Sequence, residues 1–250
     1  MHRLRHSVHV HEYASASVGR WPTLKDRTKR WGTPQPHWRV FLNDWVRERL
    51  GFDDGVPFGL RDMGVPPEFL HAQPSATPDH DLVYLGEMSR LQTMLPVLRA
   101  IDQAGLRLLL VGEPSAALQR ALRGLRGVHC TGRIAQSEVP AQLLRARAGL
   151  NLMPDRLPLA MQTSTKVLEY LAVGLPVLSN DYAWARSAAA RHPGRIALIA
   201  QPEQGARWTE ALQALPERQT DRQHLQALTW PRVLAELPLW AALGLDRSAP

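Results

Sequence analysis

The sequence predicts an α/β protein in which a doubly wound parallel sheet of six strands follows a partial α/β domain. Six short apolar runs alternate with helical segments after residue 80, which is typical of a parallel sheet with helices on both faces. Residues 71–80, HAQPSATPDH, are polar, contain two prolines and lack periodicity, so they predict a linker. We therefore expect a partial domain at 1–70, a linker at 71–80, the main domain at 81–228 and a C-terminal helix and tail at 229–250.

The elements of the main domain follow from local patterns. The run at 81–86 predicts a first strand, and apolar residues at 91, 94, 95, 98 and 101 predict a helix over 90–105 that ends at Gly105. Pro96 is expected in the first turn of this helix or at a kink. The run 106–112 is typical of a strand buried on both faces. Further strands are predicted at 128–132, 150–154, 176–180 and 195–200, with Cys130 in the core, and helices fill 206–243.

The first 70 residues are less regular. Residues 7–13 are compatible with a strand, and 38–51 with a strand followed by a helix. Residues 1–50 carry a net charge of +6 out of +7 for the whole chain, which suggests nucleic acid, anionic lipid, an acidic acceptor or a solvated surface. No nucleic-acid-binding motif accompanies the charge, so we expect no nucleic-acid partner. Trp21, Trp31 and Trp38 among the basic residues indicate either peripheral membrane contact or packing within the partial domain.

Cysteine and histidine usage excludes some classes of protein. The single cysteine, Cys130, rules out an intrachain disulfide and fits a reducing, cytoplasmic compartment. His9 and His11 share a strand face, but no acidic or cysteine partner lies at ligand spacing, so we expect no metal. No apolar run reaches the length of a membrane span, and the N-terminus does not resemble a signal peptide.

The stretch STKVLEYLAVGLPVLSND, which begins at Ser164, is the strongest site candidate. Ser164 is the natural N-cap of the predicted helix, although Thr165 would also serve. The third helical position is then Val167, so no capping box occupies the helix N–H groups. These groups and Lys166 suit a diphosphate, and the carboxylate of Glu169 suits two ribose hydroxyls. The alternative interpretation is an ordinary capped surface helix with an exposed lysine and glutamate.

The segments VYLGEMSR, LLLVGE, VHCTGRI, LNLMP and STKVLEYLAVGLPVLSND occur in order. Together they resemble the donor-binding domain of group 1 (family 4) glycosyltransferases, which are retaining enzymes of the GT-B fold. The resemblance covers about residues 81–240 and implies that the main domain is Rossmann-like and binds a nucleotide-sugar. It further implies that the segment LTWPRVL belongs to a return helix.

Carried over residue by residue, the resemblance implies a donor site. Glu169 would bind ribose, and Gly86 would open a phosphate-side loop. The other implied roles are the diphosphate for Ser164, Thr165 and Lys166, and the base for Gly132, Arg133 and Ile134. His11 would approach the sugar as a catalytic residue. The family usually uses no metal, because helix N–H groups and basic side chains take the leaving-group charge, so we expect neither a metal nor a cofactor here.

The sequence departs from the family at several positions. Met161, with Gln162 beside it, stands where many members carry an acid that grips the sugar. Glu87 and Gln92 stand where many carry an arginine and a lysine, and Arg90 is the nearby cation that would substitute. About 70 residues precede the linker, against roughly 150 for a full acceptor domain, so we expect the chain to begin inside that domain.

The expected function is sugar transfer with retention from a UDP- or GDP-linked donor to a glycan or lipid-linked acceptor. Three alternatives stay open. They are a non-catalytic nucleotide-sugar-binding remnant or subunit, another GT-B enzyme such as an epimerase, and a peripheral membrane module built on residues 1–50.

Overall fold

The computed structural model describes residues 7–32, 34–74 and 77–244. Residues 1–6 of the basic segment, 75–76 of the predicted linker and 245–250 of the predicted tail therefore lie outside the described residues. Within them the fold is α/β with two parallel sheets, and the class predicted from the sequence is confirmed.

The N-terminal part contains a small parallel sheet of three strands in the order β1-β2-β3. Its elements are β1 (Val10–Tyr13), α1 (Pro22–Gly32), β2 (Trp38–Phe41), α2 (Asp44–Leu50) and β3 (Phe58–Leu60). The predicted strand and the strand–helix pair over 38–51 are present. Helix α1 and strand β3 had no counterpart in the sequence prediction, because α1 has no inward apolar stripe and β3 spans three residues.

The large sheet has six parallel strands in the order β6-β5-β4-β7-β8-β9. The strands are β4 (His80–Leu85), β5 (Leu108–Val111), β6 (Val128–Cys130), β7 (Ala146–Asn151), β8 (Val177–Asn180) and β9 (Ile196–Ile199). The chain runs outwards from β4 to one edge and then returns to β7 on the other side of β4. In open parallel sheets, the crevice at the carboxyl ends of the two strands flanking such a reversal is where ligands bind.

Helices cover both faces of the large sheet. After α3 (Glu68–His71), they are α4 (Leu95–Gln103), α5 (Ala116–Leu122), α6 (Val139–Leu143), α7 (Thr165–Ala172), α8 (Ala183–Arg191) and α9 (Gly205–Ala214). Two short helices, α10 (Trp230–Ala235) and α11 (Leu239–Ala242), follow at the C-terminus. Side chains of β4 alternate between two hydrophobic cores, one on each face of the sheet. Val83 packs in the core that includes Tyr170 of α7. Leu82 and Tyr84 pack in the core that includes Trp208 of α9. Burial on both faces explains why these strands read as continuous apolar runs.

Two chain segments connect the N-terminal part to the large sheet. Val65 and Thr229 form a parallel bridge, in which the Val65 amide donates to the Leu228 carbonyl at 2.9 Å. Further along, Leu237 and Leu239 pack against Trp38 and Val40 of the small sheet. The C-terminal segment therefore returns to the N-terminal part as two short helices, where the sequence indicated a single return helix.

Three details differ from the sequence prediction. Cys130 is exposed and not in the core, because β6 is an edge strand. The helix predicted over 90–105 is a 3-10 segment, Met88–Met94, followed by α4 with Pro96 in its first turn. Strand β4 begins at His80, one residue inside the predicted linker.

Candidate functional site

Helix α7 begins at the reversal of strand order, in the loop that follows β7. Its apolar residues Val167, Leu168 and Leu171 are buried in one core. Gly174 follows the helix with φ +84°, and a Cβ there would lie 2.1 Å from the Gln219 carbonyl oxygen, so only glycine fits. The chain can then turn into β8, as the Gly-Leu-Pro sequence predicts.

Tyr170 fixes the position of α7 above the sheet. A Cβ on Gly149 of β7 would lie 2.2 Å from Cδ2 of the Tyr170 ring, so the ring packs directly on the strand backbone. The Tyr170 hydroxyl donates to the Leu150 carbonyl at 3.2 Å and accepts the Leu85 amide at 2.8 Å. The helix is therefore attached to both strands that flank the reversal.

Ser164 occupies the N-cap position of α7 but does not cap it. Its hydroxyl donates instead to Oδ1 of buried Asn151 at 2.9 Å. Asn151 in turn donates to Ser179 at 2.8 Å and to Tyr182 at 3.0 Å. Because this network holds the hydroxyl away from the helix end, the N–H groups of Thr165 and Lys166 stay available to an anion, whereas the Val167 amide donates to the Ser164 carbonyl at 2.9 Å.

Lys166 is buried, with 6% of its surface exposed, whereas the sequence suggested an exposed lysine. Its Nζ lies 5.0 Å from the centre of the Tyr84 ring, and a Cβ on Gly86 would lie 3.1 Å from its Cε. Burial, assisted by the charge of Arg90 and opposed by Glu169, lowers the pKa of Lys166 to about 7. Among the described residues, no carboxylate lies within ion-pair distance of its Nζ.

Glu169 lies one turn further along the helix. Burial raises the pKa of its carboxyl to about 7, and the opposing effect of Lys166 is smaller. Arg90 enters from the segment after β4, where its guanidinium contacts the Met153 sulfur at 3.8 Å. In the part of the chain that is described, Arg90 has no carboxylate within ion-pair distance, so Lys166 and Arg90 face this region without forming an ion pair.

These side chains surround one cleft of about 380 Å³. Six of the residues predicted for the donor site line it, namely Gly86, Arg90, Ser164, Thr165, Lys166 and Glu169. The structure therefore brings together the residues assigned to the diphosphate and the ribose. Glu87 also lines the cleft, and its carboxylate accepts the Ser89 amide at 3.1 Å.

The other predicted site residues do not line this cleft. Gly132 follows β6 with φ +72°, and Arg133 is solvent-exposed beside Glu113. Ile134 packs against a core cluster. His11 lies in β1, where its ring contacts Tyr13 edge-on. The roles of these four residues stay predictions.

The sequence interpretation missed several functional neighbours. Asn151 is a polar residue in the apolar run LNLMP, and that interruption is the signal that would have identified it. Gln136 lines the cleft from the segment before α6. Gln162 and Thr163 line it from the loop before α7, and we return to Gln162 below.

The described residues contain no group of three His, Cys, Asp or Glu side chains that could hold a metal ion. The same residues include no helix that is long and apolar enough to cross a membrane.

The sequence that forms this cleft matches a known family. A family model described as glycosyl transferases group 1 matches residues 79–217, more than half of the chain, so the chain belongs to this family. No curated protein matches the sequence.

Solved structures resemble this fold at low sequence identity. AviGT4, a glycosyltransferase involved in avilamycin A biosynthesis, is 18% identical, and the two structures superpose with a TM-score of 0.59. The aligned region covers 78% of this chain and 60% of the AviGT4 chain. HepE of Anabaena, solved in complex with UDP and glucose, is 12% identical with a TM-score of 0.58, covering 95% of this chain and 67% of its own. WaaG, involved in lipopolysaccharide biosynthesis, is 17% identical with a TM-score of 0.50, covering 76% and 60% respectively. The likeness is to the GT-B fold, and the chain spans 60% of the length of AviGT4.

Proposed function

We propose that this chain binds a nucleotide-sugar and acts as a retaining glycosyltransferase of family 4. The donor is linked to UDP or GDP, and the acceptor is a glycan or a lipid-linked glycan. One observation carries the proposal: the first turn of α7, buried Lys166 and Arg90 face the same cleft as Glu169, with no carboxylate paired to either cation among the described residues.

The chemistry of the cleft suits a nucleoside diphosphate. The helix end supplies N–H donors and a partial positive charge, to which Lys166 and Arg90 add full charges. A diphosphate placed there gains charge when it leaves the sugar, so the same groups stabilise its departure without a metal. One turn away, the Glu169 carboxylate can accept both hydroxyls of the attached ribose.

The remaining roles are part of the proposal. Gly132, Arg133 and Ile134 form a base-binding loop, and His11 approaches the sugar when the two parts of the molecule close on a donor. No metal or cofactor is needed. The protein works in the cytoplasm, where nucleotide-sugars are available.

Calorimetry with UDP, GDP and their sugar derivatives tests donor binding. We expect one base to be preferred and Glu169→Ala to weaken binding about 10-fold or more, because the carboxylate forms two charge-assisted hydrogen bonds. Glu210→Ala is a matched control, because Glu210 is exposed on α9 and pairs with Arg207 away from the cleft. If no nucleotide binds, or if Glu169→Ala has no effect, the donor site is wrong.

A second candidate is a nucleotide-sugar-binding remnant or subunit without activity of its own. The replacement of the family's sugar-gripping acid by Met161 favours it. Donor hydrolysis and transfer assays separate the two, because the remnant binds the donor at the same site without turnover.

Peripheral membrane contact through residues 1–50 is also part of the proposal. Helix α1 is attached to the protein by its polar side, where buried Asp26 accepts the Ser17 amide at 2.9 Å. Its opposite side exposes 67% of Trp21, 58% of Leu24 and 85% of Trp31. Tryptophans flanked by Lys25, Arg27 and other cations suit an anionic lipid surface.

Sedimentation with phosphatidylglycerol and phosphatidylcholine vesicles tests this contact. We expect binding to the anionic vesicles only, reduced at least 5-fold in Trp31→Ser. Leu157→Ser is the control, because 64% of Leu157 is exposed but the residue lies in the loop before α7. Equal binding by both variants would contradict a role for α1.

A further inference from the structure

Gln162 is a cleft residue whose side chain has no partner. It lines the cleft with Lys166 and Glu169. Its amide nitrogen Nε2 is buried and makes no hydrogen bond to any residue that the structure describes. An unsatisfied buried donor of this kind costs about 1–3 kcal/mol, and native proteins keep few of them. Rotation of the side chain would turn this amide into the cleft, where the hydroxyl oxygens of a ligand would recover that cost.

The residues on both sides of Gln162 are held in place. The Met161 carbonyl accepts the side-chain amide of Asn43 at 2.9 Å. The Thr163 hydroxyl donates to the Asp62 carboxylate. Asn43 and Asp62 both belong to the N-terminal part, so two contacts from that part fix the loop while the Gln162 amide between them remains unpaired.

The order of groups along the chain indicates what Gln162 meets. Glu169 lies one turn inside α7, the diphosphate-binding N–H groups lie at the helix start, and Gln162 lies three residues before it. A nucleotide-sugar has the same order, with ribose, then diphosphate, then sugar. The group that reaches Gln162 is therefore the transferred sugar, and an amide supplies both a donor and an acceptor to sugar hydroxyls without adding charge.

We propose that Gln162 hydrogen-bonds the hydroxyls of the transferred sugar, and that Asn43 and Asp62 are positioning residues that hold it from the N-terminal part. The inference rests on the proposed donor site. It assigns sugar recognition to a neutral amide next to the position where many family members carry an acid. It also makes sugar recognition depend on contact between the two parts of the molecule.

The test compares affinities for nucleotides with and without the sugar. Calorimetry gives the ratio of the Kd of the free diphosphate, UDP or GDP, to that of its best-binding sugar derivative among UDP-glucose, UDP-galactose, UDP-N-acetylglucosamine and GDP-mannose. We expect Gln162→Ala to reduce this ratio about 3- to 10-fold and to leave the Kd of the free diphosphate within about 2-fold. Gln213→Ala is the control, because Gln213 is exposed on α9 and does not line the cleft.

The outcomes separate the two proposals. Three results would overturn sugar recognition by Gln162. The first is a Kd ratio that is unchanged in Gln162→Ala, and the second is equal weakening of the binding of the diphosphate and of its sugar derivative. The third is a Kd ratio of one in the wild-type chain. If the wild-type chain binds neither UDP nor GDP, the proposed donor site is wrong. That result differs from a reduced Kd ratio in a chain that still binds the diphosphate.

The positioning role is tested by Asn43→Ser. Asn43 also caps α2 by accepting the Val46 amide at 2.9 Å, and serine keeps a cap acceptor but cannot reach Met161. We expect Asn43→Ser to reduce the Kd ratio and to leave the thermal stability unchanged. The Asn43→Ser, Gln162→Ala double variant should have the same Kd ratio as Gln162→Ala alone. If the double variant instead shows the product of the two single reductions, the two residues are not coupled.

Discussion

Donor affinity should fall as the pH rises above 7, because the diphosphate needs the charged form of Lys166. Burial lowers the pKa of this lysine to about 7. A lysine is charged below its pKa, so the charged fraction is about one half at pH 7, about 9% at pH 8 and about 1% at pH 9. If only the charged form binds, the apparent Kd rises by the inverse of that fraction. We expect weakening of about 5-fold from pH 7 to 8 and about 50-fold from pH 7 to 9.

The acid limb of the same profile has a different origin. Burial raises the pKa of the Glu169 carboxyl to about 7, so this group becomes protonated as the pH falls and can no longer accept two ribose hydroxyls. Affinity should therefore be highest near pH 7 and decrease on both sides.

Calorimetry of the nucleotide-sugar between pH 6 and 9, in two buffers of different ionisation enthalpy, measures both effects. We expect net uptake of about 0.8 proton at pH 8, where binding protonates about 91% of Lys166 and deprotonates about 9% of Glu169, and of about zero at pH 7, where the two changes cancel. The alkaline limb should be absent in Lys166→Met. Lys25→Met is the control, because Lys25 is exposed on α1. A wild-type Kd that is constant from pH 7 to 9, or an identical alkaline limb in Lys166→Met, would refute the reasoning.

Three further predictions concern the framework of the site. Gly86→Ala should weaken nucleotide binding measured by calorimetry, because the new Cβ would crowd Lys166. Gly112→Ala is the control, because Gly112 has a similar positive φ (+134°, against +129° for Gly86) but its Cβ would crowd Met88. The nucleotide affinity of Gly112→Ala should be unchanged. Asn151→Leu should lower the urea unfolding free energy by about 2–4 kcal/mol, because three buried hydroxyls lose their partner; a loss below 1 kcal/mol would contradict this. Tyr170→Phe should cost about 1–3 kcal/mol in the same assay, because the Leu85 amide is left unpaired, and an unchanged midpoint would show that water replaces the hydroxyl.

The strand–helix alternation after residue 80 could be predicted because the central strands of the large sheet are buried on both faces. Such strands form short continuous apolar runs in the sequence. The exception shows the limit of this pattern. The run around Cys130 has the apolar character of a central strand, but sheet order puts it at an edge. Strand order depends on how distant segments pair, and no local pattern encodes it.

The same limit applies to the site. Glu169, Lys166 and the helix start could be identified because they lie within six residues of one another. The burial of Lys166 could not, because the groups that pack on it, the Tyr84 ring of β4 and Gly86 just after β4, are distant in the sequence. Helix α1 was not predicted for a related reason. A surface helix is recognised by an apolar side that faces the protein, whereas α1 turns a charged side towards the protein.

The bridge between Val65 and Thr229 has a mechanical consequence. Two chain segments cross between the parts of the molecule, and they are fastened side by side, with the Trp230 amide also donating to the Val65 carbonyl at 3.0 Å. Gly64 brings them close, since a Cβ there would lie 2.8 Å from the Trp230 ring. The N-terminal part also holds the loop beside the cleft through Asn43 and Asp62. A rotation of the small sheet about the Val65–Thr229 joint would therefore break these contacts and release that loop.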